Sequence, residues 1–200
     1  MGLTKLSPPV GTLEPASCCP GQCGDVCELE YVAVIEYAII LVFPAAMAFA
    51  GAMDLLTMTI PNRISIVLVA AFAVAAAVMG IGWWALASHV GAGLLMLVMG
   101  IGMFALGWLG GGDAKLLAAA ALWVGFEHLL PYLLLVAVAG GALSIAILAY
   151  RRVAPPLWLA RQDWAMKLHG AKAGIPYGIA IAAAGLHVFP STIWFLSAGI

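Results

Sequence analysis

Charge is what this chain has least of. Of its 200 residues only 8% are Asp, Glu, Lys or Arg, against about 25% in an ordinary soluble domain. So few charges cannot give the chain a water-compatible surface. The formal net charge of -1 supplies no basic field, which excludes nucleic acid as a partner. Cysteine is scarce too: the four residues Cys18, Cys19, Cys23 and Cys27 are the only ones, all within the first 27 positions. The histidines His89, His128, His169 and His187 share no ligand spacing, so the sequence points to no metal site. No Ser or Cys has a His partner placed for nucleophilic catalysis, and nothing calls for a cofactor. Strands are excluded as well, because the apolar runs are continuous and lack the alternation of a transmembrane barrel.

What is present is hydrocarbon. Apolar residues make up 65% of the chain and the mean hydropathy is +1.11. A bilayer core of about 30 Å takes roughly 20 apolar residues per helix. On that ruler six segments emerge, near 31–53, 64–81, 85–109, 114–126, 129–150 and 174–189. The fourth is short and needs tilt, or extension through Glu127 and His128. The expected fold is therefore all-α: a polytopic integral membrane protein, a bundle of about six transmembrane helices over residues 31–190, with a tail at 191–200.

Seven of the eight Lys and Arg fall on one side of this topology, leaving only Lys5 on the other. The positive-inside rule puts the larger set in the cytoplasm and both termini outside. Trp83, Trp84, Trp108, Trp123 and Trp194 lie near segment ends, as interfacial anchors do. Gly91, Gly93, Gly107, Gly140 and Gly141 read as sites of close helix packing.

Residues 1–30 are a different material, rich in Pro, Gly and Cys, and read as a poorly structured extension. They lack the basic start and apolar stretch of a cleaved signal peptide. Their cysteines are not in the paired CxxC arrangement of a zinc ribbon, and an outside location favours disulfides; disorder, or an extension from an upstream start codon, is the third reading. In the loop 151–172, Arg161, Trp164 and Lys167 stand at helical spacing. That loop is either an amphipathic helix on the inner membrane surface or a solvated loop whose charges set topology.

Acidic residues beside hydrocarbon are expensive and mark candidate sites. Glu36, near the outer end of the first segment, and Glu127, beside His128, read as interfacial. Asp54 and Asp113 differ from them. They are 59 positions apart, yet the topology returns both to one membrane face, where two carboxylates can share a proton because double ionisation is disfavoured. Such a pair can activate a water and protonate a leaving amine. Three glycines, Gly110, Gly111 and Gly112, precede Asp113 and would let a backbone come close; equally, they read as a glycine break with Asp113 as helix N-cap. Asp54 either belongs to the site or merely marks the helix end before the stiff turn at Pro61.

The segments Asp54…Ile60-Pro61-Asn62-Arg63 and Gly110-Gly111-Gly112-Asp113-Ala114-Lys115 resemble those of the prepilin peptidases, the GxGD-type membrane aspartyl proteases. The likeness is to their short form, found with Flp/Tad-type pilus systems. Ile175-Pro176-Tyr177-Gly178, at the start of the last segment, is similar to a third motif of that family. The resemblance covers about residues 31–189. It implies that Asp54 and Asp113 are catalytic, that Gly110 and Gly112 shape the GxGD turn around Gly111, and that Lys115 acts on the pair or on substrate, unless it only snorkels to the interface. Pro61, Asn62, Arg63, Pro176, Tyr177 and Gly178 follow as supporting residues. It further implies a prepilin or pseudopilin substrate with a basic leader, cut after a Gly at the cytoplasmic face of a prokaryotic inner membrane, with no cofactor.

Long members of the family also N-methylate the new terminus and carry a cysteine-containing insertion between early helices. The link from Leu55 to Arg63 is too short for one, so neither the methyltransferase nor its zinc site carries over to Cys18, Cys19, Cys23 and Cys27. A different substrate, such as a preflagellin-like protein, fits the same residues. A proton- or ion-coupled transporter using the two Asp is the reading from another class; it would favour acids deep within spans and inverted repeats, and neither is present.

Overall fold

The computed structural model describes residues 23–153, 161–170 and 174–197. Among them there is no strand. The helices are α1 (Cys23–Thr57), α2 (Asn62–Val78), α3 (Trp83–Ala105), α4 (Gly111–Arg152), α5 (Asp163–His169), α6 (Tyr177–Val188) and α7 (Ile193–Ser197), with a 3-10 turn at Phe189–Ser191 before the last. An Ala- and Leu-rich chain satisfies its backbone within each helix, as a bilayer demands. Three stretches are long and apolar enough to cross a membrane: Ile40–Thr57 within α1, α3 and α4. α2, with 17 residues, and α6, with 12, are apolar but shorter. The all-helical membrane architecture is as expected, while the count of six crossings is not reached by length alone.

The expected fourth and fifth segments lie in one helical run, α4, of 42 residues. Gly125 interrupts it with φ 71°, ψ 173°, a region open essentially to glycine. The chain reverses there. Gly140 approaches Tyr177, since a Cβ on it would lie 3.2 Å from the ring, and Asp113 faces the backbone of Gly178. In a straight helix the 27 residues from Asp113 to Gly140 would span about 40 Å, so only a fold-back brings both to neighbouring residues. The two arms of α4 form the centre of the bundle. α3, α2 and α6 pack on them, and α1 packs on α2 and α6.

Near the reversal sits a cluster of rings. Phe43 stacks on Phe189 at 4.6 Å, and Trp123 lies 5.4 Å from Phe43 and 5.3 Å from Trp194. Trp123 donates Nε1–H to the Leu68 carbonyl (2.9 Å), and Trp194 donates to the Trp123 carbonyl (2.7 Å). These two tryptophans are fully buried and are not interfacial anchors. Their indole N–H groups find carbonyl partners inside, which is what makes burial affordable in an apolar interior. Trp83, Trp84 and Trp108 are exposed.

Other boundaries move as well. α1 begins at Cys23, ahead of the expected start at 31, while Cys18 and Cys19 lie outside the described residues. Residues 191–197, expected as a tail, fold back to deliver Trp194 to the core. In the 151–172 loop, α5 is a helix, docked through buried Ala165 and Leu168; Arg151 donates to the Leu168 carbonyl at 2.9 Å. The rest of that loop, 154–160 and 171–172, lies outside the described residues.

A Cβ at Gly125 would strike the His89 ring at 2.9 Å and would also force a side chain into glycine-only backbone space. Gly125→Ala is therefore expected to lower stability by roughly 1–3 kcal/mol from backbone strain alone. Gly141→Ala, with nothing within 4 Å, is expected to be neutral or to gain up to about 1 kcal/mol of helix propensity. Thermal unfolding of the two variants in detergent checks the contrast.

Candidate active site

Three chain segments far apart in sequence converge at one end of the bundle. The first is the last turn of α1, which carries Asp54, 4% exposed. α1 closes with the Met58 N–H on the Asp54 carbonyl at 2.9 Å, and Met58 itself takes a left-handed conformation, φ 58°. That conformation is uncommon for a non-glycine residue, and it turns the chain sharply toward Ile60. Pro61, with its ring-fixed φ of -63°, then serves as the N-cap of α2.

The second segment is the glycine run. Gly110 is the N-cap of α4, which places Asp113 three residues into the helix rather than at the cap. Its carboxylate turns back toward the Gly110 backbone, where a Cβ would lie 2.9 Å from Oδ2. The other oxygen, Oδ1, is buried and has no hydrogen-bond partner. Gly112 lies against the Ile60 backbone, with a notional Cβ 3.1 Å from the Ile60 Cβ and 3.3 Å from its carbonyl oxygen. A side chain at position 112 would push the Asp113 turn away from the Asp54 turn.

The third segment is the start of α6. The Gly178 N–H donates to Asp54 Oδ2 at 2.7 Å, and the Ile179 N–H also faces that carboxylate. The first N–H groups of a helix have no intrahelical partner, and the helix dipole favours negative charge there. Gly178 also faces Asp113, and the two carboxylates lie within electrostatic range of each other. A Cβ on Gly178 would fall 2.7 Å from Asp54 Oδ2 and 2.7 Å from Ile60 Cδ1. Only glycine lets all three segments meet.

The remaining candidates separate. Lys115 donates to Asn62 Oδ1 at 3.0 Å, joining α4 to the start of α2 beside the site. Arg63 lines a groove between α1 and α2 with Val42 and Phe49. Pro176 is buried, whereas Tyr177 turns its hydroxyl to Ser144 at 3.3 Å and so braces α6 on the second arm of α4. Glu127 is exposed at the other end, where it shares a cavity of about 30 Å³ with His89 and His128; among the described residues no cluster is suited to a metal. The side chain of Glu36 lies outside the described residues. Ile60 was not a sequence candidate, although its backbone forms one wall; its position before Pro61, and thus in extended conformation, was the available signal.

Chemically, the site offers one carboxylate held by backbone donors and a second with an unengaged buried oxygen. A buried polar atom without a partner is rare enough to need a reason. Two carboxyls in electrostatic contact can hold one proton between them, which lets the pair act as base and acid toward a water and a carbonyl.

Residues 41–145, just over half of the chain, match the type IV leader peptidase family. No curated protein and no solved structure matches the chain. Because a side chain at position 178 would displace Asp54, Gly178→Ala is expected to lower peptidase turnover about 10²-fold, the usual scale for misplacing a reacting group by about 1 Å. Gly102→Ala, with nothing within 4 Å, should leave turnover unchanged; leader cleavage by membranes holding equal amounts of each variant decides the point.

Proposed function

The chain belongs to the type IV leader peptidase family, whose members are aspartic-type leader peptidases, and we propose that Asp54 and Asp113 are the two aspartates with which it cuts. The observation that carries this reading is the joint approach of both carboxylates to the Gly178 N–H. It makes one site of two residues 59 positions apart. The unengaged Oδ1 of Asp113 supports the same reading, as does the glycine-lined approach.

In the proposed reaction a water lies between the carboxyls, one protonated and one ionised. The ionised carboxylate takes a proton as the water oxygen attacks the scissile carbonyl, and the protonated partner gives its proton to the carbonyl oxygen. This forms a gem-diol. Collapse breaks the C–N bond: one proton passes to the leaving nitrogen, the new carboxyl forms, and the pair again holds a single proton. Water and peptide become acid and amine with no other reactant. A coupled pair of this kind titrates as a unit.

The substrate we propose is a prepilin of the Flp type, cut behind its basic leader at the cytoplasmic face of the inner membrane. Six crossings, by α1, α2, α3, both arms of α4 and α6, would leave both termini outside. The positive-inside distribution of Lys and Arg supports this. The short turn between α1 and α2 leaves no room for a methyltransferase insertion, so peptide cleavage is the whole of the proposed activity.

Two experiments test the reading. A tagged Flp-type prepilin is co-expressed with wild type, Asp54→Asn or Asp113→Asn, since Asn keeps the size but cannot share the proton. Wild type is expected to yield mature pilin, and each variant to accumulate in the membrane yet leave the precursor full-length. Cleavage by both variants at the wild-type rate would remove the aspartates from the mechanism, and an uncut precursor with wild type would remove the substrate. For topology, alkaline phosphatase fused after Arg152 should be silent and after Ser197 active; the reverse pattern would invert the orientation.

A further inference from the structure

The second arm of α4 carries Gly140, Ser144, Ile147 and Arg151 at spacings of four, three and four residues, which is one face of a helix. The first turn of α6 and its approach lie along that stripe. Gly140 makes room for the Tyr177 ring, Ser144 meets the Tyr177 hydroxyl at 3.3 Å, and Ile147 is buried. Arg151 ends the stripe with two bonds to carbonyls. Its Nε–H donates to Leu168 at 2.9 Å, and an Nη2–H donates to Gly174 at 3.2 Å.

Leu168 stands in the last turn of α5, where carbonyls have no partner within the helix and a cation is favoured. Gly174 stands outside any helix, four residues before Gly178. From Gly174 onward the chain is stiff. Pro176 has φ -74°, ψ 81°, near the inverse γ-turn, and the Tyr177 N–H closes that turn on the Ile175 carbonyl at 2.9 Å. The Ile179 N–H reaches the Pro176 carbonyl at 3.4 Å. Pro176 is buried and its φ is fixed by the ring. A shift of Gly174 is therefore not absorbed within the turn. It passes to the amide of Gly178, which holds Asp54.

We propose that Arg151 is a positioning residue for the peptidase reaction. By gripping the carbonyls of Leu168 and Gly174 it sets where α6 begins, and so the aim of the Gly178 N–H at Asp54. This rests on the peptidase reading and adds to it a residue that the sequence marks only as one of the charges setting topology. The arrangement calls for Arg. A guanidinium presents its N–H groups in a rigid plane, whereas a Lys ammonium is a point charge on a flexible stem. Lys at position 151 would keep the charge and release the geometry.

The test uses the full chain in membranes and reads cleavage of a Flp-type prepilin. Arg151→Lys preserves the positive-inside charge and is expected to accumulate as wild type does. Its kcat is expected to fall roughly tenfold with KM held, a loss at the reacting atoms rather than in substrate binding. Arg152→Lys, at an exposed neighbour, should change neither. Because Arg151 acts through the Gly178 amide, the double variant Arg151→Lys/Gly178→Ala is expected to be no slower than Gly178→Ala alone, whereas two independent lesions would multiply. An unchanged kcat, a change confined to KM, a multiplied loss in the double variant, or failure of Arg151→Lys to accumulate would each overturn the positioning role while wild-type cleavage still stands. If wild type leaves the precursor uncut, the peptidase reading fails and the positioning role fails with it.

Discussion

The hydrogen bond from the Gly178 N–H to Asp54 Oδ2, 2.7 Å long, joins residues 124 positions apart in surroundings from which water is largely excluded. There a polar contact has no solvent competitor, and leaving either partner unpaired would be costly. The bond fixes the start of α6 on the end of α1. It holds only because position 178 has no side chain, and the same bare backbone admits Asp113 from the other side. The turn at Ile60 is pressed between these parts, with Gly112 against its backbone. One amide thus ties together the first, the fourth and the sixth helices.

The two ends of the bundle are built by opposite means. At the carboxylate end, backbones approach closely through glycine. At the end near Gly125, large rings fill the space: Phe43, Phe72, Trp123, Phe189 and Trp194 interlock, and two indole N–H groups are tied to carbonyls. Helix association in lipid gains little from the hydrophobic effect and relies on packing and hydrogen bonds. The ring cluster supplies both, about 15 Å along α4 from Asp113. A rigid base of this kind leaves the glycine-rich end free to be shaped by chemistry.

The site was largely legible in the sequence because an acid or a glycine run is conspicuous amid hydrocarbon. Asp54 and Gly110 to Asp113 could be singled out for that reason, Gly178 only through the resemblance of its segment to a family motif, and the Lys115–Asn62 contact joins two residues of the first two motifs. Tyr177 stood in the third motif but braces α4, a role no local pattern distinguishes from a place in the site. Trp123 and Trp194 read as interfacial anchors because position near a segment end is all that sequence offers; their burial depends on a reversal made by Gly125, one glycine among 23. That α2 and α3 pack on α4 and barely on each other was illegible for a more general reason. In a bilayer the packed face and the lipid face of a helix are both apolar, so periodicity does not report which neighbour it meets.

The elements that frame the carboxylates are short. The arm of α4 before Gly125 has 14 residues, about 21 Å, and α6 has 12, about 18 Å, against a hydrocarbon thickness of about 30 Å. α3, with 23 residues, spans about 35 Å. The short elements are also the buried ones: the first arm of α4 and α6 turn most of their residues to the interior, while the longer α3 exposes Leu94, Leu95, Val98 and Ile101. Length and exposure go together, because a helix that meets other helices in place of lipid is released from matching the hydrocarbon thickness. The two helices that frame the carboxylates are therefore free to be as short as their contacts require.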